Sequence, residues 1–458
     1  MRRADPPGRP DPAAGTATGA NAATGTRILI LAPFPPDSEG THGGSRAIAH
    51  LVEALAEDHR IVLAYLRASD ELPIGDRLAD LCDEVVEGRR GGSTRSSVLP
   101  LSTGSLPGLA ARLLAGDPLW AAGRWSPRFA ERLRESISRW RPDVIQAEFS
   151  VMGQYLPTRS SSDAAQVVTF HEPSASAAAE RASAASGLDA VAWSLEARRW
   201  RAFERRLLQR IDAGVAFTPR DATELRRLTD GGNAPADGVH GTQGGNAKPH
   251  VETIPLGVAL PPEPSVERGE DHPSPPRVVF VGNYVHPPNE DAARHLIEEI
   301  LPLLRRRAGA VQLTLVGPGA PSSLVARGGD GIVFTGAVPD VAAVLQAADV
   351  VVAPLRRGGG MRVKVLEAMA AGRAVVATPL AVEGIAVTSG REVIVAADPD
   401  DFAEEVAALL RDPARRRRLG AAARAFVGRH HSWKGTAEAY ASLHHHVLRN
   451  RVRDPRFR

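Results

Sequence analysis

The residues best suited to chemistry fall in one stretch, Asp349 to Thr378, which reads DVVVAPLRRGGGMRVKVLEAMAAGRAVVAT. An apolar run ends at Pro354, and Gly358, Gly359 and Gly360 follow. The pattern predicts a helix from about Met361 to Ala371, closed by Gly372 in the left-handed conformation that suits a helix end. Glycines ahead of a helix let backbone N–H groups approach an anion at the positive end of the helix dipole. Arg362 and Lys364 add two cations in the first turn. Cations are mildly unfavourable for a helix there, which argues for an external anion. Lys364 and Glu367 stand three apart and share a helix face. One group can then meet a phosphate while the other accepts hydrogen bonds from sugar hydroxyls a turn away. A pyrophosphate flanked by hydroxylated rings, as in a nucleotide sugar, fits this set. The competing reading, ordinary solvated helix charges with an i,i+3 ion pair, weighs about equally until the position of the segment is considered.

Three further places hold candidate groups. Gly43 and Gly44 end a Pro- and Gly-rich loop and open a helix, which suits either an anion-binding loop for an acceptor or a plain tight turn. His171, in Thr169-Phe170-His171-Glu172, follows an apolar strand and is expected at the carboxyl end of a sheet; a structural histidine is the alternative. Glu148 is a weaker candidate of the same kind, just after Asp143 to Ala147. Asp398-Pro399-Asp400 spells D-x-D but precedes a helix and reads as its N-terminal cap, so no metal site is expected. His430-His431 and His444-His445-His446 read as surface residues of a C-terminal helix. The chain contains no G-x-x-x-x-G-K-[ST], no G-x-G-x-x-G and no G-x-S-x-G.

The elements that must position these groups alternate between strand and helix. Continuous apolar runs at 27–32, 61–65, 143–147, 166–170 and 213–217 predict buried parallel strands separated by helices. Residues 259–276 are Pro-rich and charged, as in an interdomain linker. Alternation then resumes with strands at 277–282, 312–317, 331–336, 349–354 and 374–378 and a helix near 289–307. The expected fold class is α/β, with two Rossmann-like doubly wound domains facing across a cleft. The divisions are a disordered tail (1–26), an N-terminal domain (27–258), the linker, a C-terminal domain (277–428) and a helical segment (429–458) expected to cross back to the N-terminal domain. Ligands in open α/β folds sit at the carboxyl ends of the strands, which favours a functional Arg362, Lys364 and Glu367. Two Gly-, Ser- and Asn-rich stretches, 88–108 and 230–250, read as surface insertions. In Trp193 to Ile211, Trp193, Ala197, Trp200, Phe203, Leu207 and Ile211 form one face with arginines elsewhere. An internal helix packed on the sheet is the favoured reading, and peripheral membrane contact the second.

Composition excludes several classes. The 458 residues suffice for two or three domains at roughly 100 to 200 residues each. Cys82 is the only cysteine, so neither an intrachain disulfide nor a cysteine-built zinc site can form. No apolar run approaches the roughly 18 to 20 residues of a spanning helix. Met1-Arg2-Arg3 runs into Pro, Gly, Ala and Thr without an apolar segment, so the expected location is cytoplasmic, with the inner membrane face as a peripheral alternative. Lys plus Arg is 56 against 53 for Asp plus Glu, a net charge of +3, which argues against a nucleic-acid partner. Three of those 56 are lysines, Lys248, Lys364 and Lys434, and Lys364 alone lies in the chemical segment.

The run Gly360-Met361-Arg362-Val363-Lys364-Val365-Leu366-Glu367-Ala368-Met369-Ala370-Ala371-Gly372, with Val375 to Thr378 and Glu383-Gly384 beyond it, resembles the donor-binding signature of the group 1 retaining glycosyltransferases, family 4 type, of GT-B fold. Val281-Gly282-Asn283 with Pro287-Pro288-Asn289, Val316 to Gly319, Gly336 to Asp340 and Ile254 to Val258 are similar to that family's landmarks, in order and spacing. The resemblance implies a transferase that moves a sugar from a nucleotide-diphosphate sugar to a hydroxyl of a glycan, a lipid-linked saccharide or a small molecule. It implies no cofactor beyond the nucleotide sugar and no metal. Glu367 would bind the ribose hydroxyls and Arg362 and Lys364 the pyrophosphate. Gly282, Asn283, Gly359, Gly360 and Met361 would complete the donor cradle, and Val338 would border the base. His171 would touch the sugar near the reacting centre, with Gly43, Gly44 and Glu148 on the acceptor side. Two departures stand out. The family often has two glutamates eight apart, and eight before Glu367 is Gly359; Asn283 stands where an Arg is common. A non-catalytic nucleotide-sugar-binding protein and a sugar-nucleotide epimerase of the same fold are the competing readings.

Overall fold

A computed structural model of the chain describes residues 25–40, 43–90, 106–159, 161–230, 249–263 and 275–453. Most of the tail, the middle of both insertions (91–105 and 231–248) and most of the linker (264–274) lie outside the described residues.

The N-terminal unit is a parallel sheet of seven strands, β1 (Arg27–Ala32), β2 (Arg60–Arg67), β3 (Glu84–Arg89), β4 (Val144–Glu148), β5 (Ala165–Phe170), β6 (Ala213–Ala216) and β7 (His250–Thr253), in the order β3-β2-β1-β4-β5-β6-β7. The C-terminal unit is a parallel sheet of six, β8 (Arg277–Val281), β9 (Gln312–Val316), β10 (Ile332–Gly336), β11 (Val350–Ala353), β12 (Ala374–Ala377) and β13 (Ile394–Val395), in the order β10-β9-β8-β11-β12-β13. β1 shows why such strands are apolar throughout. Leu29 and Leu31 join the core on one face of the sheet, and Ile28, Ile30 and Ala32 join the core on the other. Strand order reverses between β1 and β4 in the first sheet and between β8 and β11 in the second. The loops leaving those four strands open a crevice at each switch point, and the two crevices face each other.

Several expectations need correction. The first stretch read as an insertion contains the end of β3 and the start of a helix, Leu106–Leu114, and the second ends at the first residue of β7. β3, β7 and β13 are edge strands, short or punctuated by charge, and give little apolar signal. The helix of the chemical segment is Val363–Ala370, which leaves Arg362 as the residue before its first turn. The histidines read as surface residues are divided: His431 and His444 are buried, because the helix Trp433–Arg453 returns to the N-terminal unit. There Tyr440, Leu443 and Val447 pack into the same core as Ile28 and Ile30. The helix Gly187–Leu208 turns Trp200, Phe203 and Leu207 inward, the packed arrangement that the alternation requires. No described helix is long and apolar enough to cross a membrane.

Candidate functional site

A cavity of about 520 Å³ occupies the cleft between the two sheets. From the C-terminal unit it is lined by the loop after β8 (Gly282, Asn283), the loop after β10 (Val338) and the run from Gly358 through Lys364 to Glu367. From the N-terminal unit come Gly43, Gly44 and Arg46 of the helix Gly43–Leu55, the Phe149 loop after β4, and His171 and Glu172 after β5. Twelve of the thirteen site residues expected from sequence thus line one cavity, and Glu148 is the exception.

The glycine turn is built for a close approach. Gly358 and Gly360 hold φ of 105° and 71°, a region open to glycine and costly for other residues. The turn folds back so that the Arg362 guanidinium donates to the carbonyls of Gly358 and Gly359. Arg362 is 8% exposed, its Nε has no partner, and burial lowers its pKa, opposed chiefly by Glu172. Its charge therefore lies directly beneath the helix start, and it braces the turn as well as charging it.

One turn on, Lys364 Nζ donates to Oδ1 of Asn289 and stands 5.0 Å from the centroid of the Phe280 ring. Burial, reinforced by Arg362 and opposed by Glu367, pushes the Lys364 ammonium down to about 7. Asn289 also donates Nδ2 to the carbonyl of Asn283 at 2.8 Å, so it ties the helix to the loop after β8. Asn289 is the third residue of the helix Pro287–His295, and its place after the loop of β8 is the available sequence signal.

Glu367 faces the cleft, and Arg46 of the other domain donates to its Oε1 at 2.5 Å. Burial raises the pKa of Glu367, while Arg46 and Lys364 pull it back. Arg46 follows Gly43-Gly44 in the first turn of its helix, a cation at an N-terminus of the kind flagged at Arg362, but two glycines alone had drawn attention to that loop. Val338 lines the main cavity and a second one of about 440 Å³ that continues beyond the Arg46–Glu367 pair toward Trp433.

His171 is held on three sides. Its Nε2 lies 2.7 Å from Oε2 of Glu148, Phe149 stacks on the ring at 3.8 Å between centroids, and Phe217 meets it edge-on at 4.9 Å. A carboxylate can only accept, so Nε2 carries the hydrogen and Nδ1 has no protein partner among the described residues. Phe149 has φ of 68°, an uncommon conformation for a non-glycine residue, and it is this backbone that places the ring over the imidazole. Glu148 is 1% exposed and also accepts from Gln146 Nε2 at 2.6 Å and Thr169 Oγ1 at 3.0 Å. It cannot touch an acceptor; its place is beneath His171, which it orients. The returning C-terminal helix completes this network, since Tyr440 Oη meets Thr169 Oγ1 at 3.0 Å and His444 Nε2 meets Gln146 Oε1 at 2.8 Å.

Asp398 accepts from the backbone N–H groups of Asp400 and Asp401 at 3.0 Å each and so caps the helix Pro399–Arg411. The D-x-D spelling is therefore structural.

Residues 41–231 match the family described as Glycosyltransferase Family 4, and residues 275–412 match Glycosyl transferases group 1. No curated protein matches the chain in sequence. Among solved structures, sucrose-phosphate synthase from Thermosynechococcus elongatus superposes with a TM-score of 0.64 at 18% identity, over 93% of this chain and 100% of that one. WaaG, a glycosyltransferase involved in lipopolysaccharide biosynthesis, gives 0.59 at 14% identity over 91% and 99%. HepE from Anabaena in complex with UDP and glucose gives 0.57 at 12% identity over 91% and 99%. At such identities the likeness is one of fold: two facing α/β units in the GT-B arrangement.

Proposed function

The chain belongs to the group 1, family 4 type glycosyltransferases of GT-B fold, and from that premise we propose that it transfers a sugar from a nucleotide-diphosphate sugar to an acceptor hydroxyl with retention of anomeric configuration and without a metal ion. The observation that supports this most is the convergence of Lys364, Arg362 and the Gly358–Gly360 turn on one wall of the interdomain cavity, a helical turn from Glu367 and across from His171. The cations and the helix N–H groups stabilise the diphosphate as it leaves, as oriented donors do for developing negative charge. Glu367 accepts the ribose hydroxyls once Arg46 gives way. A solved relative, HepE, is described in complex with UDP-glucose, which makes a uridine nucleotide a sensible first donor.

Retention by double displacement needs a carboxylate nucleophile on the far face of the sugar. At position 359 the chain has glycine, and the carboxylate beside it, Glu172 of the N-terminal unit, is assigned below to binding rather than attack, so we favour a front-face route. The bond from the anomeric carbon to the diphosphate oxygen breaks, the bond to the acceptor oxygen forms on the same face, and the acceptor proton passes to the departing diphosphate. The test is a panel of nucleotide sugars and hydroxylated acceptors, read by nucleoside diphosphate release and by the anomeric coupling of the product. Release that requires acceptor, an unchanged anomeric configuration and full rate in chelator support the reading. Binding without turnover on every donor and acceptor would reduce the protein to a nucleotide-sugar binder, and inversion or loss of rate in chelator would sink the mechanism.

A further inference from the structure

Three carboxylates line the main cavity. Glu367 is paired with Arg46 at 2.5 Å and Glu180 with Arg220 at 3.6 Å. Glu172 accepts no hydrogen bond and forms no ion pair among the described residues. It follows His171 at the carboxyl end of β5, in the N-terminal unit, yet it lies against the glycine turn of the C-terminal unit. A Cβ added to Gly359 would stand 2.6 Å from Glu172 Oε1, and one added to Gly360 would stand 3.5 Å from Glu172 Cβ. The carboxylate thus fills the space that a side chain at position 359 would occupy.

A half-buried carboxylate without donors is unfavourable, and burial accordingly raises its pKa, with Glu180 adding to the rise and Arg362 opposing it. Arg362 and Arg181 offset this through their charge, without a hydrogen bond to the carboxylate among the described residues. A ligand that brings hydroxyl donors would supply one, and the neighbours narrow its chemistry. With the diphosphate held by Lys364 and the helix N–H groups, the partner that best suits the Glu172 carboxylate between Lys364 and His171 is uncharged and rich in hydroxyls.

We infer that Glu172 binds the hydroxyls of the transferred sugar, supplying from the N-terminal domain the acid that position 359 lacks. The inference rests on the glycosyltransferase reading above. A carboxylate there also favours the positive charge that develops on the anomeric carbon as the diphosphate departs.

The decisive experiment moves the acid. With the full chain and the best donor from a panel of UDP-, GDP-, ADP- and TDP-hexoses, Glu172→Ala should lower kcat/KM by about 10- to 100-fold, the range for losing a charge-assisted hydrogen bond. The Kd for the free nucleoside diphosphate should stay within about threefold of the unaltered protein. Glu172→Gln, which keeps the shape, should fall between. Gly359→Glu alone should be impaired, because it sets a second carboxylate beside that of Glu172 and displaces it. The double variant Glu172→Ala with Gly359→Glu should regain at least about tenfold over Glu172→Ala. Full activity in both Glu172 variants would overturn the inference, and so would equal losses in transfer and in nucleoside diphosphate affinity. A double variant no better than Glu172→Ala would overturn the shared place. If the unaltered protein turns over no member of the panel, the glycosyltransferase reading itself fails, an outcome distinct from these.

Discussion

The proposed assignment of Lys364 to the diphosphate predicts that nucleotide affinity depends on pH, and the size of the effect follows from its surroundings. Burial and the nearby Arg362 bring its ammonium from 10.5 down to about 7. A diphosphate in contact with Nζ favours the charged form and raises that value again. Above pH 7 the empty protein has lost a proton that the complex needs, so the apparent Kd should grow as 1 + 10^(pH − 7). That is about 11-fold at pH 8 and about 100-fold at pH 9, each unit corresponding to about 1.36 kcal/mol. Binding at pH 8 should take up about 0.9 proton per nucleotide. Titration calorimetry with UDP, in buffers of different ionisation enthalpy between pH 7 and 9, measures both quantities. Lys364→Met should bind weakly and without this slope. The same shift acts on stability with the opposite sign. Between about 7 and 10.5 the unfolded chain holds the Lys364 proton more tightly than the folded one, so this group makes the empty protein more stable as pH rises through that window. The unaltered protein should therefore gain Tm relative to Lys364→Met from pH 7 to 9 while its nucleotide affinity falls. A flat Kd over that range, or an identical slope in Lys364→Met, would refute the assignment of Lys364 to the diphosphate.

Three further outcomes are expected. Arg46→Met frees Glu367 from a partly exposed pair worth at most about 1 kcal/mol, so nucleoside diphosphate affinity should improve by about 2- to 5-fold; a tenfold loss would place Arg46 on the phosphates instead. Glu148→Gln removes the carboxylate that fixes the His171 tautomer, and kcat should fall by about 10- to 100-fold with nucleoside diphosphate Kd unchanged; an unaltered kcat would mean that stacking on Phe149 suffices. Tyr440→Phe, which loses the hydroxyl contact to Thr169, should cost about 0.5–1.5 kcal/mol in urea unfolding, and Tyr440→Ala about 3–5 kcal/mol, because the ring fills the core beneath β1; equal costs would assign the whole effect to the hydroxyl.

What could be read in advance depended on whether a signal was local. The central strands β1, β8 and β11 announce themselves as unbroken apolar runs because both their faces are covered, whereas the edge strands β3, β7 and β13 do not. Lys364 and Glu367 could be paired on paper because three residues on one helix fix their relation. Arg46, 321 positions from Glu367, and Asn289, 75 from Lys364, could not: the facing of the two sheets brings the first pair together, and the pairing of β8 with β11 inside the second sheet brings the other. His444 was misread for the same reason: on its own helix it is one of three adjacent histidines, and burial comes from a domain that begins hundreds of positions earlier. There it sits against Gln146, and burial pushes it down to about 3. Glu148 was legible as a functional position but not in its role, because a carboxylate at a strand end says nothing about whether it points into the cleft or under a neighbouring ring.

The division of groups between the domains has a consequence for turnover. In the proposed function the groups assigned to the diphosphate (Lys364, Arg362, the glycine turn) and to the ribose (Glu367) belong to the C-terminal unit, while His171 and Glu172 belong to the N-terminal one. On that proposal a nucleotide alone would engage the first set, and a donor that still carries its sugar would span both. Arg46–Glu367 and Arg220–Glu383, which join the two units in the empty protein, are partly exposed pairs whose weak attraction limits any cost of reopening. Once the sugar has moved to the acceptor, the nucleoside diphosphate retains only the contacts of one domain. Product release then needs no separate device, because the reaction itself removes the group that bridged the cleft.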